Sequence, residues 1–131
     1  MKSFHLPYKF YNGEFYPIIK IKLKGPQGIF DAEAYVDSGA STSIFMAEFA
    51  SVLGIDYTRG QVSYTMVGDG SFIPFYVHRV PLQIGNVWVK AAIGFSSRLG
   101  AEFNLLGQKD IFDRFKVTFD KRNKRVSFQS Y

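Results

Sequence analysis

The chain contains no cysteine, which excludes disulfide scaffolds, cysteine-based zinc sites, iron–sulfur clusters and thiol nucleophiles together. Histidine is almost as scarce. His5 and His78 lie in unlike surroundings with no metal-ligand spacing, so neither a metal nor a cofactor is expected. No run of about 18 apolar residues occurs, so no bilayer-spanning segment and no membrane partner are expected. The opening Met1 to Lys9 is broken by Lys2, His5 and Pro7 before a signal-peptide apolar run forms, and the expected compartment is the cytoplasm. A G-x-S-x-G elbow is missing. Gly68-x-Gly70 is too short for a dinucleotide fingerprint and has no βαβ unit around it.

What remains is an ordinary globular composition, 47% apolar and 21% charged over 131 residues, read as one domain spanning residues 1–131. The aromatic share of 18% favours a β-rich fold. Lysine and arginine (16) exceed aspartate and glutamate (11) for a net charge of +5. That balance permits a polyanionic partner. The cations are scattered, however, except for Lys121-Arg122-Asn123-Lys124-Arg125, which reads better as a solvated hairpin turn than as a nucleic-acid site.

Alternation dominates the chain. Ile19, Ile21 and Leu23 oppose Lys20, Lys22 and Lys24, and after Gly25-Pro26-Gln27-Gly28 the residues Phe30, Ala32, Ala34 and Val36 point inward again, which predicts a hairpin. Met46, Phe49, Ala50 and Leu53 have helical spacing, with Gly54 as the C-cap. Gln61 to Val67 and Ser71 to Val77 flank Gly68-Asp69-Gly70 as a second hairpin, whose glycines offer positive-φ positions. Val80 to Ile84 and Val87 to Ile93 make a third around Gly85-Asn86. Gly94 to Glu102 reads as a loop, and Lys109 to Phe115 as a second short helix. Residues 1–16 read as an N-terminal strand and turn extension, and residues 116–131 as a closing hairpin.

One tetrapeptide carries chemistry. Asp37-Ser38-Gly39-Ala40 directly follows the apolar strand Ala34-Tyr35-Val36, so a carboxylate is delivered at a fixed position onto a glycine turn. Asp and Ser are also ordinary turn formers, but the context narrows the reading. A glycine-tipped hairpin follows, and then Asn104-Leu105-Leu106-Gly107, an apolar-apolar-Gly element, precedes the second amphipathic segment.

This ordered set resembles the retropepsin-like aspartic proteases over roughly Ile18 to Phe128. The resemblance implies a mostly β, closed barrel with a flap hairpin and two short helices. It further implies that Asp37 is catalytic, that Ser38, Gly39, Ala40, Leu105, Leu106 and Gly107 support its loop, and that Val67, Gly68, Asp69 and Gly70 form the flap over the substrate. Here Gln108-Lys109-Asp110 follows the second glycine, where Arg or Lys with Asn or Asp is usual, and the strands from Lys116 onward extend beyond those of retroviral proteases.

Peptide hydrolysis by carboxylates needs one ionised group to take a proton from water and one protonated group to donate. With one D-[ST]-G per chain, the expectation is an endopeptidase whose dyad forms in a homodimer, one Asp37 from each copy, acting on a peptide or protein substrate. Two alternatives differ in class: a dimeric peptide-binding module of the same fold without catalysis, and an OB-like barrel binding single-stranded nucleic acid. Tyr64, Met66 and Phe72 suit either a substrate cleft or the core.

Overall fold

In the computed structural model, which describes residues 2–100 and 103–131, the alternating segments become strands. They are β1 (Ser3–Pro7), β2 (Lys9–Tyr11), β3 (Glu14–Tyr16), β4 (Ile18–Gly25), β5 (Gly28–Val36) and β6 (Ser43–Met46). After helix α1 (Ala47–Leu53) follow β7 (Gln61–Met66), β8 (Phe72–Ile84), β9 (Val87–Ser96), β10 (Asn104–Leu106), β11 (Phe115–Asp120) and β12 (Arg125–Ser130).

Pairing runs β4-β5-β10-β6-β9-β8, and β8 returns to β4 at Leu23↔Leu82, so six strands close into a barrel. Closure removes the exposed edges of the sheet. Of the strands in this sheet, β7 lies outside the ring, and among the described residues it pairs only with β8, as an edge strand. The inward residues read from the alternation fill the barrel: Ile19, Ile21, Leu23, Ala34, Val36, Leu82 and Ile93 are all buried in one cluster. Each such Leu or Ile contributes roughly 1.5–3 kcal/mol by leaving water. The ring has six strands and a different order from the five-stranded Greek key of an OB barrel, so that alternative is set aside.

A second sheet, β1-β12-β11, caps the barrel with aromatic side chains. Phe4 stacks on Phe128 at 5.7 Å between ring centroids, and Phe115 meets Phe128 edge-on at 5.8 Å. The N-terminal and C-terminal segments thus pair within the chain, from Ser3↔Gln129 to Pro7↔Arg125.

Three expectations need correction. The strands expected at Ser71 to Val77 and at Val80 to Ile84 merge into one 13-residue strand, Phe72–Ile84. The polar interruption read as a break is partnered, since His78 Nε2 bonds to the Tyr57 carbonyl (2.8 Å) and Arg79 donates to the Lys90 carbonyl (3.2 Å). Gly94 does not start a loop. β9 continues to Ser96 because β6 lies parallel beside it, Ser43↔Ile93 to Met46↔Ser96; of the expected loop, residues 101 and 102 lie outside the described residues. The segment from Lys109 to Phe115 is a series of turns, not a regular helix. Bonds of helical pitch join Phe112 N–H to the Gln108 carbonyl and Phe115 N–H to the Ile111 carbonyl, both 2.9 Å. Between them Asp110 takes a φ of 64°, held there as its carboxylate accepts from Ala92 N–H (2.9 Å) and Arg79 (3.3 Å). Tertiary bonds override the helical spacing. The second short helical element is instead a 3₁₀ turn, Tyr57–Arg59.

Candidate active site

β5 ends at Val36 and delivers Asp37 beside β10, which runs parallel to it (Leu105↔Tyr35, Leu106↔Val36). Asp37 N–H donates to the Leu106 carbonyl (3.0 Å), extending the ladder by one rung into the turn. The turn then closes on itself. Gly39 N–H donates to Asp37 Oδ1 (2.9 Å) and Ala40 N–H to the Asp37 carbonyl (3.2 Å). One carboxylate oxygen is thereby anchored, and the group sits half-buried at a strand end.

The second apolar-apolar-Gly element grips this turn from below. Gln108 N–H donates to the Ala40 carbonyl (2.8 Å), Lys109 N–H to the Ser41 carbonyl (3.0 Å), and Gln108 Nε2 to the Ser38 carbonyl (2.5 Å). Gly107 N–H donates to Ser43 Oγ (2.9 Å), a hydroxyl with no solvent exposure. Any Cβ at position 107 would stand 2.7 Å from the carbonyl oxygens of Ala40 and Thr42, so only glycine fits. The sequence reading passed over Ser43, Asn104 as a side chain, and the reach of Gln108. Asn104 is buried, and its amide ties β6 to β5 by accepting from Met46 N–H (2.9 Å) and donating to the Glu33 carbonyl (2.8 Å). The available signal was a polar residue at an inward position of an apolar strand, which must be bonded to be tolerated.

Opposite the Asp37 turn lies the β7–β8 hairpin. Val67 N–H donates to the Ser71 carbonyl (2.8 Å) and Gly70 N–H to the Val67 carbonyl (2.9 Å). Gly70 takes a φ of 86°, whereas Gly68 does not need the left-handed region that its place in the motif suggested. Asp69 is spent on its own turn. It accepts from the Ser71 hydroxyl and from Ser71 N–H, bonds that hold its carboxyl below the ordinary aspartate range.

Between turn and hairpin opens a cleft of about 890 Å3. Of the expected site residues, Asp37, Gly39, Ala40, Leu105, Val67, Gly68 and Asp69 line it, while Ser38, Leu106, Gly107 and Gly70 do not. Leu106 and Gly107 are buried behind the wall, in keeping with a supporting position. Tyr64 and Met66 line the cleft and are 63% and 61% exposed, so the core reading of them fails. Phe72 is equally exposed but lies off the lining. Among the described residues no cluster of His, Asp and Glu is placed to hold a metal, and no helix is long and apolar enough to cross a membrane.

Comparison with solved structures gives the class. The chain superposes on a retropepsin-like aspartic protease from Rickettsia conorii with a TM-score of 0.68, covering 97% of this chain and 89% of that one at 20% identity. This chain therefore has the retropepsin-like fold, as the resemblance implied. In sequence it is 29% identical over 100 residues to DNA damage-inducible protein 1 of Yarrowia lipolytica, a match that covers 73% of this chain and 24% of that protein. The chain thus spans about a quarter of the length of that relative. No family model matches it.

Proposed function

We propose that the protein is an aspartic endopeptidase whose catalytic unit is a homodimer. The observation that carries this reading is Asp37: a half-buried carboxylate pinned through one oxygen on the lining of a peptide-sized cleft, on a turn that donates to the Leu106 carbonyl and accepts hydrogen bonds from Gln108 and Lys109. The fold shared with an aspartic protease adds support. One D-S-G per chain supplies one carboxylate, so the second comes from another copy across a two-fold axis. Two carboxylates at such close range share a proton. The ionised Asp37 takes a proton from water while the protonated one donates to the carbonyl oxygen of the scissile peptide. The water oxygen bonds to the carbonyl carbon, and the resulting tetrahedral species breaks its C–N bond as the nitrogen gains a proton. Ser38, exposed on the turn, faces outward to meet the second copy, and Val67 to Gly70 close over the bound peptide as a flap.

Asp37→Asn tests this directly. It removes the ionisable group while keeping an acceptor for Gly39 N–H, so the variant folds and dimerises but loses activity on the order of a hundredfold or more. Retained activity within about tenfold refutes the role of Asp37. A strict monomer by light scattering at all concentrations refutes the shared dyad. Peptide binding by the unmodified protein without cleavage of any library member establishes the non-catalytic module instead.

A further inference from the structure

The charged groups on the cleft lining are unequal in what they have left to offer. Asp37 is anchored by Gly39, and Asp69 is consumed by Ser71. Among the described residues, the remaining charged side chain there is Arg98. It is exposed, and among the described residues no carboxylate lies within ion-pairing distance of its guanidinium. Its backbone is nonetheless fixed. Arg98 N–H donates to Ser96 Oγ (3.1 Å), and that hydroxyl, buried at 2% exposure, donates to the Pro74 carbonyl of β8 (2.8 Å). The next residue, Leu99, belongs with Ile44, Ile73 and Phe75 to a small apolar cluster that forms the cleft wall. A cation with no ion-pair partner among the described residues, on an anchored backbone, therefore lines the cleft next to this apolar cluster.

We propose that Arg98 is a specificity-determining residue that makes the cleft select acidic peptides: a large apolar side chain against the Leu99 wall and an Asp or Glu two residues along the same extended strand. This deepens the reading of the cleft as a peptide site and rests on it. The spacing follows from strand geometry, since side chains two apart share a face and stand about 6.6 Å apart. Guanidinium presents a planar fork that matches a carboxylate through two parallel N–H···O bonds. The surplus of 16 basic over 11 acidic residues also favours the approach of an acidic chain.

Three labelled peptides that differ at that one position, Glu, Gln or Lys, separate this proposal from the catalytic one. Their binding to the Asp37→Asn protein is measured by fluorescence anisotropy, so that no cleavage intervenes. The Glu peptide is expected to bind about tenfold more tightly than the Gln peptide, the scale of a hydrogen-bonded ion pair, with the margin narrowing as salt is raised. Arg98→Glu, on an exposed side chain, should leave the melting temperature in place and reverse the order in favour of Lys, while Arg98→Lys keeps part of the preference. Equal binding of the Glu and Gln peptides, an unchanged order in Arg98→Glu, or no binding of any of the three overturns the proposal. Cleavage by the wild-type protein without acidic preference sinks the Arg98 role and leaves the endopeptidase reading standing. Acid-selective binding without wild-type cleavage does the reverse.

Discussion

The two walls of the cleft are built from similar letters and opposite physics. On one side, Gly107 is enclosed by the carbonyls of Ala40 and Thr42, its N–H is satisfied by a fully buried hydroxyl, and the residues after it clamp the Asp37 turn through three hydrogen bonds. On the other, Gly68 and Gly70 have nothing within 4 Å of a Cβ position, and β7 has one strand neighbour and exposed residues at Gln61, Val62, Ser63, Tyr64 and Met66. Glycine serves close packing in the first case and chain reversal in the second. A wall that must hold a reacting group within a fraction of an ångström is packed to exclude alternatives. A wall that must admit a substrate is left with few buried contacts, which is where local opening costs least.

Substitutions break or sharpen that contrast in a definite order. Gly107→Ala carries the largest expected effect, because its Cβ meets backbone atoms that cannot rotate away: a loss of about 3 kcal/mol and a fall in melting temperature of about 10 °C. An unshifted thermal transition would show that the loop yields and is not packed as described. Ser43→Ala comes next. It strands the buried Gly107 N–H at a cost of about 2 kcal/mol in denaturant unfolding, and a loss below about 0.5 kcal/mol would show the N–H to be otherwise satisfied.

At the hairpin, Gly70→Ala pays only for its left-handed φ, about 1 kcal/mol. Gly68→Ala stays within about 0.5 kcal/mol, because its space is open and its φ unstrained. The valine variants at both positions are expected to reduce turnover well beyond their effect on stability, since a β-branched side chain restricts the tip that must close. Unchanged kinetics in both would remove the flap role from this hairpin.

The smallest effect is on pH. Hydrogen bonds from Ser71 lower the Asp69 pKa in the folded chain relative to the unfolded one. The bonded tip is therefore fully favoured above the ordinary aspartate value and loses that support only as pH falls through the lowered one. Carboxyl titration followed by NMR should place Asp69 below about 3.9, and in Ser71→Ala it should return toward that value. A wild-type midpoint at or above it would mean that the turn bonds are absent in solution.

Much of the barrel was legible because its alternation reports one buried face. Ile19-Ile21-Leu23 and Ala32-Ala34-Val36 faced inward as their period required. Ile18, adjacent to Ile19 and so out of phase with that period, is buried as well. The failures share a different cause. His78 and Arg79 looked like a break in a strand, and Asp110 looked like part of a helix. In each case a partner distant in sequence, Tyr57, Lys90 or Ala92, supplied the bond that decided the backbone. The candidate site divided along the same line. Asp37 announced itself through the strand and turn around it, whereas Ser43, Gln108 and Arg98 carried no local mark.

Taken alone, the sequence determined which segments alternate, where the chain turns, that cysteine chemistry is absent, and that one carboxylate sits on a glycine turn after an apolar strand. These are local properties, written within a few residues of one another. Only the tertiary structure decided that β10 slots between β5 and β6, that β8 returns to β4 to close the ring, and that the Asp37 turn faces the β7–β8 hairpin across a cleft that Arg98 also lines. Those outcomes depend on pairings between residues far apart in the chain, where each bond or buried contact is selected by the barrel as a whole rather than by the residues beside it.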